Sequence, residues 1–180
     1  MSVDITPAYM EAAIRRYFDA CNAADYDALM SCFTPDAVHY FPPGLADIPW
    51  RGADMICRKW LWCVDNLGSS WSIEKILCSS TSPEAVIEWT HWKPKVGTAL
   101  RGDEWYVFDR ESGRIREIRA YYASPADSSV PIAELVGFDY AGRGYHLKPP
   151  VHRKPEGFTS PRHQKEAGKP NADSFQGRDK

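Results

Sequence analysis

The strongest constraint on the fold of this chain is a change in its hydrophobic period near residue 70. Before that point, apolar residues recur every three to four positions, and after it they alternate at every second position over several short segments. The first spacing is typical of amphipathic helices and the second of half-buried strands. Helices followed by a run of antiparallel strands predict an α+β fold, in which a curved sheet closes over its helices.

Three segments carry the helical spacing. Residues 7–23 follow Thr6, which is a good N-cap, and they hold a stripe of apolar side chains. Asp25 can cap a second, shorter helix, because its carboxylate can accept a hydrogen bond from the first turn. Residues 53–67 form the third predicted helix, which lies between two glycines.

Five segments are predicted strands. The first covers residues 37–41 and ends at the Pro-Pro-Gly sequence of residues 42–44, because proline and glycine interrupt regular pairing. The other four follow the change in period, at residues 72–78, 85–92, 100–108 and 114–122. The resulting fold class is α+β, with three N-terminal helices packed in a curved, mostly antiparallel sheet.

The length of 180 residues fits one domain, which we place at residues 1–147. Residues 148–180 are rich in proline, glycine and charge, and they predict a tail that is flexible or ordered only by a partner. Residues 132–140 retain enough apolar character to dock on the domain.

Charge and cysteine content narrow the functional class. The net charge is −2, and the basic residues concentrate in the tail, so the domain itself is acidic. An acidic domain is not expected to bind nucleic acid. The sequence holds no membrane-length apolar run and no secretory signal at its start. The five cysteines form no CxxC pair. We therefore expect reduced thiols in a cytoplasmic protein.

Two stretches resemble a known family. The sequence RRYFDACNAADYDALMSCFTPDAVHYFPPG at residues 15–44 resembles the opening of the ketosteroid isomerases and SnoaL-like cyclases, which belong to the NTF2-like superfamily. The sequence FDRESGRIREIRAYY at residues 108–122 resembles their closing hairpin. The resemblance implies a cone-shaped domain with one pocket for a small hydrophobic molecule. It also implies a homodimer or homotrimer.

The resemblance assigns roles to three positions. In ketosteroid isomerases, a tyrosine and an acid hold the oxygen that gains negative charge, and these match Tyr17 and Glu104. The general base of that family matches Phe41, whose side chain cannot move a proton. If the chain catalyses proton transfer, its base must therefore come from elsewhere.

Strand alternation indicates which side chains can share the pocket. His39 lies on the same face of its strand as Phe41, and Tyr106 and Phe108 lie on the same face as Glu104. Trp89 shares a face with His91 on the neighbouring strand. Arg119 and Tyr121 share a face of the last strand, where a bulge would reverse the face. The predicted catalytic set is His91, Glu104, Tyr17, His39 and Arg119. The predicted substrate-binding set is Tyr106, Tyr121, Phe41, Trp60, Trp89 and Phe108.

These residues favour acid–base chemistry without a cofactor. A histidine can take or give a proton near neutral pH, and either Tyr17 or a protonated Glu104 can donate to a developing oxyanion. Arg119 can hold an anionic group. No HxH or HExxH spacing occurs, so no metal site is expected.

The predicted function is that of a cofactor-independent lyase or isomerase, which acts by dehydration, C–C cleavage or cyclisation on a small aromatic or polycyclic substrate. The high aromatic content, 13% with seven tryptophans, agrees with an aromatic pocket wall. Two alternatives remain open. One is a non-catalytic module that binds a small molecule, and the other is an epoxide hydrolase of the limonene type, although Tyr106 stands where an aspartate would support it better.

Overall fold

The computed structural model describes residues 3–41, 47–122, 132–133, 141–142 and 144–150. In these ranges, three helices lead into one mixed, open β-sheet. The helices are α1 (Pro7–Ala23), α2 (Tyr26–Cys32) and α3 (Ala53–Leu67). The strands are β1 (Phe33–Tyr40), β2 (Trp50–Arg51), β3 (Ser70–Cys78), β4 (Glu84–Lys93), β5 (Thr98–Phe108), β6 (Ile115–Tyr122) and β7 (Ile132–Ala133). The predicted α+β class is confirmed.

The helix ends follow from local sequence. The Thr6 hydroxyl accepts a hydrogen bond from the Tyr9 amide at 3.1 Å and so caps α1. The Asp25 carboxylate accepts one from the Ala28 amide at 3.0 Å and caps α2. Helix α3 ends at Gly68, whose φ of 68° lies in the left-handed region that favours glycine. These short-range signals explain why the helix boundaries agree with the sequence prediction.

The sheet has the order β2-β1-β6-β5-β4-β3, and β7 pairs with β5 outside this path. Strands β3 to β6 form antiparallel ladders between sequential neighbours, whereas β1 joins β6 in parallel. Strand β1 begins at Phe33 rather than at the predicted residue 37. It includes Pro35, which has no amide hydrogen and lies where the pairing register with β6 shifts.

An irregularity between β5 and β6 decides which side chains enter the interior. Ile115 and Ile118 are both buried although they are three positions apart, and the register shifts next to Phe108. This bulge reverses the parity of the remaining strand. Arg119 and Tyr121 therefore lie on the outer face of the sheet, opposite Trp105 and Asp103. The expectation that these two side chains face the interior is wrong.

The helices cover the concave face of the sheet and form the core with it. Tyr17 of α1 contacts the rings of Phe33 at 5.3 Å and Tyr106 at 6.2 Å between centroids, so it joins α1 to β1 and β5. In the described part of the chain, no helix is long and apolar enough to span a membrane. None of the five cysteines forms a disulfide bond.

The convex face is partly covered by residues 144–150. The Tyr145 hydroxyl donates a hydrogen bond to Glu88 at 2.5 Å. On the same face, the buried Arg101 donates to Thr90 at 2.7 Å and lies 3.7 Å from the carboxylate of Glu74. Residues 151–180 of the predicted 148–180 tail, the docking of residues 134–140 and the Pro-Pro-Gly turn at residues 42–44 lie outside the described residues.

Candidate functional site

The inner face of the sheet brings His39 and Glu104 together. Strand β6 lies between their strands and pairs Ile118 with His39 and Ala120 with Glu104, so both side chains point inward. His39 Nε2 lies 3.5 Å from Glu104 Oε1, and the two side chains are 0% and 8% exposed. A carboxylate beside an imidazole stabilises the charge that the ring acquires when it takes a proton.

Tyr106 holds the other oxygen of this carboxylate. Its hydroxyl donates to Glu104 Oε2 at 2.5 Å, and the tyrosine is fully buried. Burial is the main cause that raises the pKa of Tyr106 well above its ordinary value, and the charge of Glu104 adds to it. Tyr106 therefore remains protonated and serves as a permanent donor to Glu104.

Tyr17 lies beside this group but has a different partner. Its hydroxyl interacts electrostatically with the Cys21 thiol, one turn further along α1. Burial first, and the Cys21 thiol second, raise the pKa of Tyr17 well above its ordinary value. Its ring packs edge-on against Tyr106. Tyr17 is thus a neutral hydroxyl next to the carboxylate and not its direct donor.

The His39 ring is enclosed by aromatic side chains. It stacks on Phe41 with 4.0 Å between centroids and an interplanar angle of 18°, and it meets the edges of Trp60 and Trp50 at 5.5 and 5.9 Å. Within the described residues, neither ring nitrogen of His39 has a hydrogen-bond partner. Buried polar atoms without partners are rare in folded proteins, so His39 is a candidate for a catalytic or ligand-binding role.

His91 lies at the other end of the same row of rings. It stacks on Trp71 at 4.5 Å and meets the edge of Trp60 at 6.3 Å, so Trp60 separates the two histidines. Its Nε2 is 2.7 Å from the Ser69 hydroxyl. Burial, and to a lesser degree the charge of Lys93, lower the pKa of His91 well below its ordinary value. His91 is therefore a neutral imidazole that already has a polar partner.

Trp89 and Phe108 extend the inner wall of the sheet. Trp89 follows Ile87, which pairs with Glu104, and it is 4% exposed. Phe108 is 1% exposed and lies beyond Tyr106 on the same face of β5. The alternation along β4 and β5 thus places both residues on the predicted face.

A pocket of about 480 Å³ lies beside strands β1 and β6. It is lined by Tyr40, Phe41, Glu117, Arg119, Ala120 and Tyr121. Phe41 lines this pocket and also stacks on His39, so it links the pocket to the buried imidazole. Arg119 and Tyr121 line this outer pocket and are not joined to the buried group of His39, Glu104 and Tyr106.

Arg119 already has acidic and aromatic neighbours on the outer face. Its Nε is 3.3 Å from Glu117, and its guanidinium lies over the ring of Trp105 at 5.8 Å. The side chain is 38% exposed. This setting places Arg119 at the rim of the site.

Three residues of the interior were not among the predicted site residues. Trp50 packs against Phe41 at 4.4 Å, Trp71 stacks on His91, and Ser69 contacts the His91 ring. The parity of β3 contains a signal for Trp71, because it pairs directly with His91 across the β3–β4 ladder. In the described ranges, no group of three or more potential metal ligands occurs.

The three helices over an open mixed sheet, with this ring-lined interior, define the NTF2-like class of α+β domains. The chain belongs to the SnoaL-like domain family, whose pattern matches residues 14–118. A protein of unknown function with a cystatin-like fold from Methylobium petroleophilum PM1 is 47% identical, with a TM-score of 0.66. The match covers 83% of this chain and 98% of that one.

More distant structures share the fold alone. A putative polyketide cyclase from Sinorhizobium meliloti is 20% identical over 63% of this chain and 98% of its own length, with a TM-score of 0.53. A computationally designed 17-OHP binder is 17% identical over 64% of this chain and 91% of its own length, with a TM-score of 0.56. No curated protein matches the sequence.

Proposed function

We propose that the protein is a cofactor-independent lyase or isomerase that acts on a small aromatic or polycyclic compound by acid–base catalysis. The observation that carries the proposal is the buried His39, which faces Glu104 and has both ring nitrogens without a hydrogen-bond partner in the described residues. Membership of the SnoaL-like family and the likeness to a structure named as a putative polyketide cyclase are consistent with it.

The proposed mechanism divides the roles among three residues. His39 takes a proton from the substrate through Nδ1, while its Nε2 faces Glu104. The Glu104 carboxylate stabilises the imidazolium that forms, and Tyr106 fixes the carboxylate by its short hydrogen bond. His39 then returns the proton to the product or to the leaving group, so the reaction consumes no cofactor. Such proton transfer typically contributes about 10²–10⁴-fold to the rate.

The surrounding rings support an aromatic substrate. Phe41 stacks on His39, Trp50 tilts against Phe41, and Trp60 meets Trp50 edge-on. These rings offer flat apolar surfaces to a flat ligand. They also exclude water, which strengthens the attraction between Glu104 and the protonated imidazole. Arg119 and Tyr121 would contact the part of the substrate that extends into the outer pocket.

His91 is the second candidate for proton transfer. Burial lowers the pKa of His91, so the ring stays neutral near pH 7 and is a weaker proton acceptor than an ordinary histidine. Its bond to Ser69 occupies Nε2. We therefore assign the first proton transfer to His39, and we assign to His91 a polar contact at the far end of the ring-lined interior.

A non-catalytic role as a small-molecule binder is the second candidate function. The ring-lined interior supports it directly, because binding needs the apolar walls and a few orienting groups but no proton transfer. The likeness to a structure named as a designed 17-OHP binder is consistent with it. We also propose that the chain assembles as a homodimer or homotrimer.

The test is a turnover screen with a matched pair of histidine variants. Cyclic ketones, phenols and polycyclic hydroxy compounds are incubated with the protein, and products are detected by mass spectrometry. His39→Asn should reduce kcat/KM for any converted compound by about 10²–10⁴-fold. His146→Asn is the control, because His146 is exposed on the convex face. Unchanged turnover in His39→Asn would refute the mechanism, and tight binding without any product would favour the binder.

A further inference from the structure

Trp60 occupies the centre of the buried ring cluster. It contacts Trp50 at 4.9 Å and Trp71 at 5.3 Å, both at an interplanar angle of 75°, and it is 6% exposed. Its indole nitrogen carries a hydrogen that can only be donated. Within the described residues, this N–H has no hydrogen-bond acceptor.

An unpaired indole N–H is costly in such a setting. A buried donor without an acceptor loses its hydrogen bonds to water and gains nothing in exchange. Trp60 lies 5.5 Å from His39 between ring centroids, and His39 also has unpaired nitrogens. A buried donor thus adjoins the buried imidazole of His39, and within the described residues both lack hydrogen-bond partners. One ligand atom that accepts from Trp60 and exchanges a proton with His39 would satisfy both.

We propose that Trp60 Nε1–H donates a hydrogen bond to an oxygen of the ligand, and that the ligand is a flat ring compound with a hydroxyl or carbonyl group on the ring. The inference rests on the proposed function for the position of the ligand beside His39. It adds the chemical class of the recognised group. An oxygen on the ring supplies the acceptor that the indole N–H needs, while a methyl group at that place would leave the donor unpaired.

The neighbouring rings offer the competing account. An indole N–H that points at the face of an aromatic ring gains a weak interaction and needs no ligand. The two accounts differ in one respect: only a ligand-directed N–H makes binding depend on an oxygen atom in the ligand.

The experiment compares two ligands of similar shape, 2-naphthol and 2-methylnaphthalene, by equilibrium dialysis. The variant is Trp60→Phe, which keeps an aromatic ring and removes the N–H. The control is Trp92→Phe, since Trp92 donates to Ser72 at 3.2 Å on the opposite face of the sheet. We expect wild type to prefer 2-naphthol. Trp60→Phe should weaken 2-naphthol binding by about 3-fold to 10-fold and change 2-methylnaphthalene binding by less than about 2-fold.

Three results would overturn the inference: no preference for 2-naphthol in wild type, no binding of either compound, or an unchanged preference in Trp60→Phe. If that variant does not fold, wild-type protein labelled with ¹⁵N at tryptophan decides instead. Saturation with 2-naphthol should move one indole proton downfield, and 2-methylnaphthalene should not. Identical shifts with both ligands would contradict the inference.

The dialysis experiment measures binding without turnover, so it can refute the Trp60 inference without refuting the catalytic proposal, and the reverse. A lost preference in Trp60→Phe with no product from any compound would refute catalysis and leave the inference standing. An unchanged preference together with turnover that depends on His39 would refute the inference and leave the catalytic proposal intact.

Discussion

The bond between Tyr106 and Glu104 gives a sharp test of the charge in the site. Tyr106→Phe removes the hydroxyl that donates to Glu104 Oε2 at 2.5 Å and leaves a carboxylate oxygen buried without its donor. Hydrogen bonds to charged groups contribute about 1.5–3 kcal/mol, so the free energy of unfolding should fall by about 2–3 kcal/mol. For a domain of this size the corresponding loss in Tm is about 4–12 °C.

Tyr17→Phe is the matched control. Tyr17 is also a buried tyrosine whose ring lies 6.2 Å from that of Tyr106, but its hydroxyl interacts with the neutral Cys21 thiol and does not donate to Glu104. Loss of a neutral hydrogen bond costs about 0.5–1.5 kcal/mol. The ring is retained in both variants, so the difference between them reports the charge on Glu104.

The assay is urea unfolding at pH 7, followed by circular dichroism and by tryptophan fluorescence so that two-state behaviour is checked. Tyr106→Phe should be less stable than Tyr17→Phe by about 1–2 kcal/mol. Equal stabilities would show that Glu104 carries no charge at this pH. In that case it could not stabilise an imidazolium at His39, and the reasoning behind the dyad would be refuted.

Two further predictions concern Phe41 and His91. Phe41→Ala removes a ring that lines the outer pocket and stacks on His39. Diethyl pyrocarbonate should therefore modify His39 faster, as measured by peptide mass spectrometry, and an unchanged rate would show that Phe41 does not shield His39. His91 has a pKa below that of the unfolded chain, so the unfolded state binds more protons and stability should fall as pH decreases below about 6.5. His91→Gln should reduce the change in the free energy of unfolding between pH 8 and pH 5, as measured by urea unfolding. An equal change in wild type and variant would contradict the lowered pKa of His91.

Most of the local structure could be predicted from the sequence. The caps Thr6 and Asp25 and the glycine after residue 67 define the helix ends through contacts within a few residues. The two-residue alternation likewise places Glu104 and Tyr106 on one face, because side chains two positions apart in a regular strand point to the same side of the sheet. Both kinds of signal act over short distances along the chain, so no tertiary information is needed to interpret them.

Where the pattern is interrupted, the prediction fails. Arg119 and Tyr121 have the parity of Ile115, but the bulge beside Phe108 turns them outward. The bulge arises from how β6 pairs with β5, and a single strand's sequence does not reveal its partner's register. Strand β1 likewise begins earlier than predicted, because pairing with β6 holds Phe33 in the sheet although Pro35 follows.

The amino-acid sequence by itself determined the α+β class, the helices and the two tyrosines and one glutamate on the inner side. The tertiary structure alone decided which histidine adjoins that glutamate. His39 and Glu104 are far apart in the chain, and they meet because β1 crosses over to pair in parallel with β6, next to β5. Such non-local pairing depends on the packing of the whole sheet over its helices, and no local propensity encodes it.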